Sequence, residues 1–406
     1  MPSAVTIRCL LSGLALSCSS IAGSIPKIVE VAPTELGARG LAVSDGGRVV
    51  AGTIGGNTPN AFAWSPFDHF VNIELLPTWD WAQAQAISAD GNVVVGFGAG
   101  GSRTVGAFRW HKDSGITLLS SGLRGAFAKT TNHDGSVIGG YYQPPPGYLR
   151  AVLWNAAGVK TDLATLGKDS WVSSVSADGS FAAGSSMLAD GKFRAALWTD
   201  GLGVRNLGTL GGDESYGMTI SKDGKVVGGF SATGSGDRHG FRWTEDGGMK
   251  DIGSESIPFW NVNGMSADGQ ILVGSGYGAV FWTPHLGAVS LFAYLKHLGV
   301  DTGAFSGLWS VYSVSPDGTA MTGDSGNGPS FLVTGLEVLS FCPTDLTADG
   351  VVDDADFSLF ASAYDALACN DPQMPPSCPS DFNADGLVDD QDFRFFLPAY
   401  GTMPCK

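Results

Sequence analysis

One phrase written seven times constrains this chain more than anything else in it. ISADGNVVVG, beginning at Ile87, recurs as TNHDGSVIGG, VSADGSFAAG, ISKDGKVVGG, MSADGQILVG and VSPDGTAMTG, and earlier as VSDGGRVVAG. The aligned glycines are Gly47, Gly91, Gly135, Gly179, Gly224, Gly269 and Gly318, so the steps are 44, 44, 44, 45, 45 and 49 residues. A second phrase follows in six copies: AFAW, AFRW, AVLW, AALW, GFRW and AVFW, ending at Trp64, Trp110, Trp154, Trp198, Trp243 and Trp282. The seventh copy is degenerate there, at PSFLV. A fixed period of this size is the mark of a repeat architecture.

Each copy parses into four short strands. The first runs into the Asp-Gly pair, a hairpin signal because Gly reaches positive φ without steric cost. VVVG supplies the second strand, AFRW the third, and a DLATL- or VRNLGTL-type segment the fourth. With 59 Gly and only 15% charged residues, the composition fits a turn-rich β protein. Four strands per copy and seven copies predict a mainly β fold, a seven-bladed β-propeller over residues 23–340. A linear solenoid is the alternative, but it wants distinct capping repeats. A propeller must close its ring, and the seventh copy lacks a good fourth strand. Ile28 to Val31 can supply it, with Leu336 to Leu339 as the competing segment. The insertion LFAYLKHLGV in copy six predicts a short helix. The repeated phrases resemble the HAF-repeat family of extracellular repeat proteins over about Gly40 to Val333. They also resemble the Asp-box of sialidase propellers, but Gly directly follows Asp and the box's Trp is missing. Ser and Asp here read as turn residues.

The last 65 residues carry a different repeat. DLTADGVVDDAD (Asp345 to Asp356) and DFNADGLVDDQD (Asp381 to Asp392) are copies of one acidic loop, 36 residues apart. Oxygen donors at positions 1, 3, 5, 9 and 12, with Gly at 6 and a carbonyl at 7, form the EF-hand-like calcium arrangement. The first set is Asp345, Thr347, Asp349, Val351 (carbonyl), Asp353 and Asp356. The second is Asp381, Asn383, Asp385, Leu387 (carbonyl), Asp389 and Asp392. Two Ca2+ ions are expected; Mg2+ suits the loops less because it demands a tight octahedron. Prolines in the lead-ins SFCPT and DPQMPPSCPS forbid a helix before either loop, so only the exit helices DFSLFASAY and DFRFFLPAY remain. Pro398 should shorten the second.

A duplicated calcium loop with Asp at position 12 and only an exit helix resembles the dockerin domain, over Cys342 to Lys406, and the framing Cys residues resemble its GC-type members. The resemblance implies a small α calcium-binding domain over residues 341–406 and a cohesin-like or cell-surface anchoring partner. Four Cys allow three pairings. The matched 27-residue spacing favours Cys342–Cys369 and Cys378–Cys405. A zinc site competes, but no His lies nearby. Residues 1–22 read as a signal peptide, with Arg8, an apolar run too short to span a membrane, and small residues at Ser20 and Ala22. A lipoprotein reading of Cys18 fits the preceding residues poorly. The expectation is a secreted, extracellular or cell-surface protein with no membrane span.

Net charge is -16, of which -10 falls in the tail, where twelve Asp face two basic residues. That removes any electrostatic case for nucleic acid. No nucleophile motif, phosphate loop or His-x-x-x-His pair appears. Asp213 and Glu214 could make a carboxylate pair, though a solvated inter-blade loop reads better. Most copies place an aromatic eight to ten residues before the aligned Gly: Trp81, Phe127, Trp171, Tyr216, Trp260 and Trp309. There they would ring the mouth of the channel and suit a glycan or peptide ligand, or else pack between blades. The leading functional expectation is non-catalytic binding or display. The alternative is a dockerin-tethered glycoside hydrolase or lyase.

Overall fold

The computed structural model describes residues 26–400 apart from 32–36, 56–57, 67–68, 102–104, 120–124, 146, 200–202, 254–256, 285, 304, 327, 338–343, 345, 347–351, 367, 370–377, 379 and 382–386. The proposed signal peptide, Cys342, Cys405, and loop residues Asp345, Thr347, Asp349, Val351, Asn383 and Asp385 lie outside these.

The described body is a ring of seven antiparallel four-stranded sheets, a seven-bladed propeller. The inner strands are Arg39–Val43, Trp81–Ile87, Phe127–Thr131, Gly167–Val175, Gly211–Ile220, Asn261–Met265 and Ser310–Val314, in blades 1 to 7. Each inner strand packs against the next, and blade 7 against blade 1. Blade 7 takes its fourth strand from the other end of the chain. Lys27–Glu30 pairs antiparallel with Ser330–Thr334, in register Lys27↔Thr334 to Glu30↔Phe331. The N-terminal segment is therefore the closing strand, and the competing segment plays another part. Leu336 is buried and hydrogen-bonds back to Thr319, while residues 338–339 lie outside the described set.

Turn chemistry explains the repeated Ser-x-Asp-Gly. In blade 4 the buried Ser176 donates to Asp178 Oδ1 (2.7 Å) and accepts the Phe181 N–H (2.9 Å). Asp178 also accepts the Ser180 N–H and hydroxyl, and these bonds hold its carboxyl down at about 2. The same pattern recurs at Ser88, Ser221, Ser266 and Ser315. In blade 3 Asn132 replaces Ser and accepts the Val137 N–H through its Oδ1.

These turns also link the blades. The residue before the turn Asp donates its N–H to the matching carbonyl of the next blade. The bonds run Asp45 to Ala89, Ala89 to His133, His133 to Ala177, Ala177 to Lys222, Lys222 to Ala267, and Ala267 to Pro316. Pro316 has no N–H to continue the circle. At that seam a side chain takes over: Asp317 Oδ2 accepts the Gly46 N–H at 2.9 Å.

Every inner strand carries a β-bulge at the same place, and the extra residues are Leu41, Gln85, Lys129, Ser173, Met218, Asn263 and Tyr312. Helix α1 (Leu291–His297) follows the outer strand of blade 6, where the insertion predicts it. Ser290 caps it by accepting the Ala293 N–H, and Leu291, Tyr294 and Leu295 bury against blades 6 and 7.

In the tail, helices α2 (Asp354–Ala366) and α3 (Asp390–Ala399) follow the two acidic loops. The second ends one residue after Pro398 and is the shorter, as expected. Phe360 and Phe396 stack at 5.2 Å between the helices. Tyr364 donates to Asp390, and Tyr400 to Asp354, so each helix ties its last turn to the start of the other. The disulfide departs from the expected pairing: Cys369 bonds Cys378, with Cα atoms 5.4 Å apart. Neither Cys342–Cys369 nor Cys378–Cys405 can then form. An antiparallel bridge between Ala368 and Leu387 ties the end of the first unit to the second, bringing Cys369 close to Cys378.

Candidate functional site

The inner-strand aromatics divide into two groups. Counting eight residues back from each turn Gly reaches Arg39, Gln83, Phe127, Trp171, Tyr216, Asn261 and Ser310. All seven sit directly before the bulge-flanking pair, in one structural register. Phe127, Trp171 and Tyr216 share that register, whereas Trp260 and Trp309 fall one residue earlier and Trp81 two. In blades 2 to 5 the aromatics pack on one another. Trp81 meets Phe97 edge-on, Phe97 meets Phe127 across the blade boundary at 4.8 Å, and Phe127 stacks on Tyr141. Trp171, Phe193 and Tyr216 form a triangle of rings 5.0 to 6.4 Å apart, and Tyr216 stacks on Phe230 at 4.8 Å. Burial, and then the hydrogen bond donated to Glu214, pushes the Tyr216 hydroxyl up to about 12.

Asp213 and Glu214 belong to the long inner strand Gly211–Ile220, not to a loop. Asp213 pairs with Lys192 at 2.5 Å. Their carboxylates serve links between blades 4 and 5.

Blades 6 and 7 differ. Tyr277, packed edge-on against Trp260 at 4.9 Å, is 82% exposed, and Trp309 is 67% exposed. The two are close in the fold, because Ala279 donates its N–H to the carbonyl of Leu308. Beside Trp309, at the seam of blades 7 and 1, lies a cavity of about 730 Å3 lined by Arg39, Ser306, Trp309, Tyr312, Asp324 and Ser325, among others. Tyr312 donates to Asp324, and burial followed by that bond raises the Tyr312 hydroxyl well above its ordinary range.

Around the channel, two of the bulge residues donate to a neighbouring blade. Lys129 donates to Gln85 of blade 2, and Asn263 donates to Ser310 Oγ (3.2 Å) and the Val311 carbonyl (2.8 Å) of blade 7. Burial lowers the Lys129 ammonium.

Arg39, Tyr312 and Asp324 escape the sequence reading. Arg39 stands in blade 1 where blades 3 to 5 have aromatics, and a strict eight-residue count finds it. Asp324 directly follows the second-strand Gly, a place held elsewhere by Thr53, Phe97, Tyr141, Ser185, Phe230 and Ser275.

In the tail, the position-12 residues Asp356 and Asp392 are fully buried. Each accepts the backbone N–H of position 9, from Asp353 at 2.9 Å and Asp389 at 3.0 Å. A buried carboxylate is costly without a counter-charge, and the donors here are hard oxygens, so the set fits a calcium-type ion. Leu387 presents backbone to the Ala368 bridge and an exposed side chain. Asp381 has a carboxylate oxygen 3.2 Å from Cys369 Sγ, but both sulfurs there are in the disulfide, which rules out a thiolate metal site at Cys369, Cys378 and Asp381.

The chain matches no family model and no curated protein. Among solved structures it is similar to TolB from Acinetobacter baumannii, at 12% identity and TM-score 0.44, over 72% of this chain and 64% of that one. It is similar to a putative TolB from Agrobacterium tumefaciens at 14% identity and TM-score 0.43, over 56% and 87%. An oligogalacturonate lyase from Vibrio parahaemolyticus aligns at 11% identity and TM-score 0.48, over 77% and 94%. The chain thus spans less than two thirds of the Acinetobacter protein. Likenesses this distant carry nothing about ligand or activity. No described helix is long and apolar enough to cross a membrane. The disulfide belongs to an oxidising compartment.

Proposed function

We propose that this is a secreted, non-catalytic binding protein. Its propeller takes a glycan on the rim of blades 6, 7 and 1, and its tail, resembling a dockerin, holds two calcium ions and docks to a cohesin-like or cell-surface partner. The observation that carries the glycan reading is a pair of exposed aromatics, Trp309 lining the seam cavity and Tyr277 on blade 6 next to it in the ring. Exposed aromatic faces this large mark a binding surface, and their rings suit the apolar faces of sugars. Catalysis by paired carboxylates has less support. A glycosidase needs two carboxyl groups across the bond, and among the described residues Asp324 is the one carboxylate lining the cavity.

A glycan array probed with the intact chain should give binders. Trp309→Ala should weaken them about ten-fold or more, the effect of losing one aromatic stacking partner. Equal titration curves for the two proteins would remove the rim from consideration.

The calcium reading rests on the two complete oxygen sets and the buried Asp356 and Asp392. Calorimetry of the chelator-stripped protein should give two Ca2+ per chain and a gain of helical circular dichroism, since binding and ordering of such loops are linked. Asp356→Ala and Asp392→Ala should each lower the stoichiometry to one. A wild-type value of zero would refute the assignment.

A further inference from the structure

We propose that the seam cavity selects an acidic sugar, with Arg39 binding the carboxylate of a uronic-acid residue while Trp309 stacks on its ring. This rests on the glycan reading above and adds the ligand class to it.

Arg39 opens the inner strand of blade 1 and lines the cavity from one side, while Trp309, Tyr312 and Asp324 line it from blade 7. Its residue is exposed, and no carboxylate among the described residues pairs with it. Asp324 shares the cavity but is otherwise engaged. One oxygen accepts the Tyr312 hydroxyl and the other the Gly326 N–H at 3.4 Å. Among the described residues, therefore, no neighbouring anion takes up the five donors of this guanidinium. A planar fork of this kind matches a carboxylate with two parallel hydrogen bonds.

The second element is Trp309, two thirds exposed and lying over Gly326, where a Cβ would come within 3.5 Å of the indole. An indole beside a guanidinium distinguishes an acidic pyranose from a neutral one. The neutral sugar gains the stacking alone, and the acidic sugar gains both. Tyr312 and Asp324 remain as a hydroxyl–carboxylate pair able to accept from ring hydroxyls.

The test uses the full chain and oligomers of glucuronate, mannuronate and galacturonate, each beside its carboxyl-reduced counterpart, with a sulfated neutral oligomer as a further arm. At least one uronate should bind ten-fold or more tightly than its reduced form, and added salt should narrow the gap. Arg39→Gln should abolish the gap, with the loss falling on the uronate far more than on its reduced form. Arg39→Lys should keep part of it, since the charge remains and the fork is lost. Trp309→Ala should weaken both forms. Thermal melts matching the wild type would confirm that the Arg39 variants are folded. Trp309-dependent binding with no preference for the acid would overturn this inference and leave the glycan reading standing. A preference for the sulfated oligomer over every uronate would overturn the carboxylate assignment. Binding to none of the oligomers, acidic or neutral, would overturn both.

Discussion

A chain beginning at Thr34 is expected to melt roughly 10–20 °C below one beginning at Ser24. The shorter chain lacks Lys27–Glu30, the strand that completes blade 7. It also lacks Val31, whose side chain is 1% exposed and packs with Val50, Phe62 and Leu332. Losing that burial costs about 1.5–3 kcal/mol. Losing the ladder, including the Val31 N–H to the Ser330 carbonyl, costs on the order of 0.5–1.5 kcal/mol per bond. For a domain of this size each kcal/mol shifts the midpoint by about 2–4 °C. The deletion also leaves Ser330–Thr334 as an exposed sheet edge, so the shortened chain should aggregate as it melts. Calorimetric scans of the two chains decide the matter. Coincident transitions would mean that the ring does not depend on its closing strand.

That closure was legible because blade 7 visibly lacks a fourth strand and PKIVEVAP visibly lacks a blade. The Ser-x-Asp-Gly turns were equally legible, since the side-chain bonds that fix them span only two to five residues. Other features depend on neighbours that a linear pattern does not name. The disulfide is the clearest. Two copies with identical internal spacing look like two self-contained units, yet the bridge between Ala368 and Leu387 brings a Cys of the first copy to a Cys of the second. The aromatic rim misled in a different way. Spacings of eight, nine and ten residues look equivalent in sequence, but a one-residue slip in a strand moves a side chain to the other face. Trp171 and Tyr216 thus pack between blades while Trp309 stands in solvent. Arg39 is a cation at the register position that blades 3 to 5 fill with an aromatic, so a pattern of aromatics does not include it.

The second large effect is expected from the smallest change, Gly184→Ala. The inner-strand bulge of blade 4 falls between Val172 and Ser174, directly opposite Gly184 and Ala183. It turns the Trp171 carbonyl over the neighbouring strand, and a Cβ at residue 184 would stand 2.0 Å from that oxygen. The next nearest atoms, Trp171 C and Val172 Cα, are also backbone, each 3.0 Å away, so no side chain can swing aside. The same approach recurs at Gly52, Gly96, Gly140, Gly229, Gly274 and Gly323, with a Cβ landing 1.8 to 2.0 Å from the inner-strand carbonyl each time. Bulge and glycine are therefore two halves of one device: the bulge bends the inner strand, and only a residue without Cβ admits the displaced carbonyl. Alanine must either flatten the bulge or part the inner strand from the second strand, Phe181–Leu188. Both disturb the core and the contact of blade 4 with blade 5, where Gly217 packs on the Gly184 backbone. A loss of about 3–5 kcal/mol is expected, in the range of severe core overpacking and lost ladder bonds together. Gly101→Ala serves as the control, because a Cβ there meets nothing within 4 Å. Denaturant titration should leave that variant within about 0.5 kcal/mol of the parent. If Gly184→Ala unfolds at the same denaturant concentration as the control, the bulge yields more easily than this geometry allows, and the repeated glycine needs another explanation.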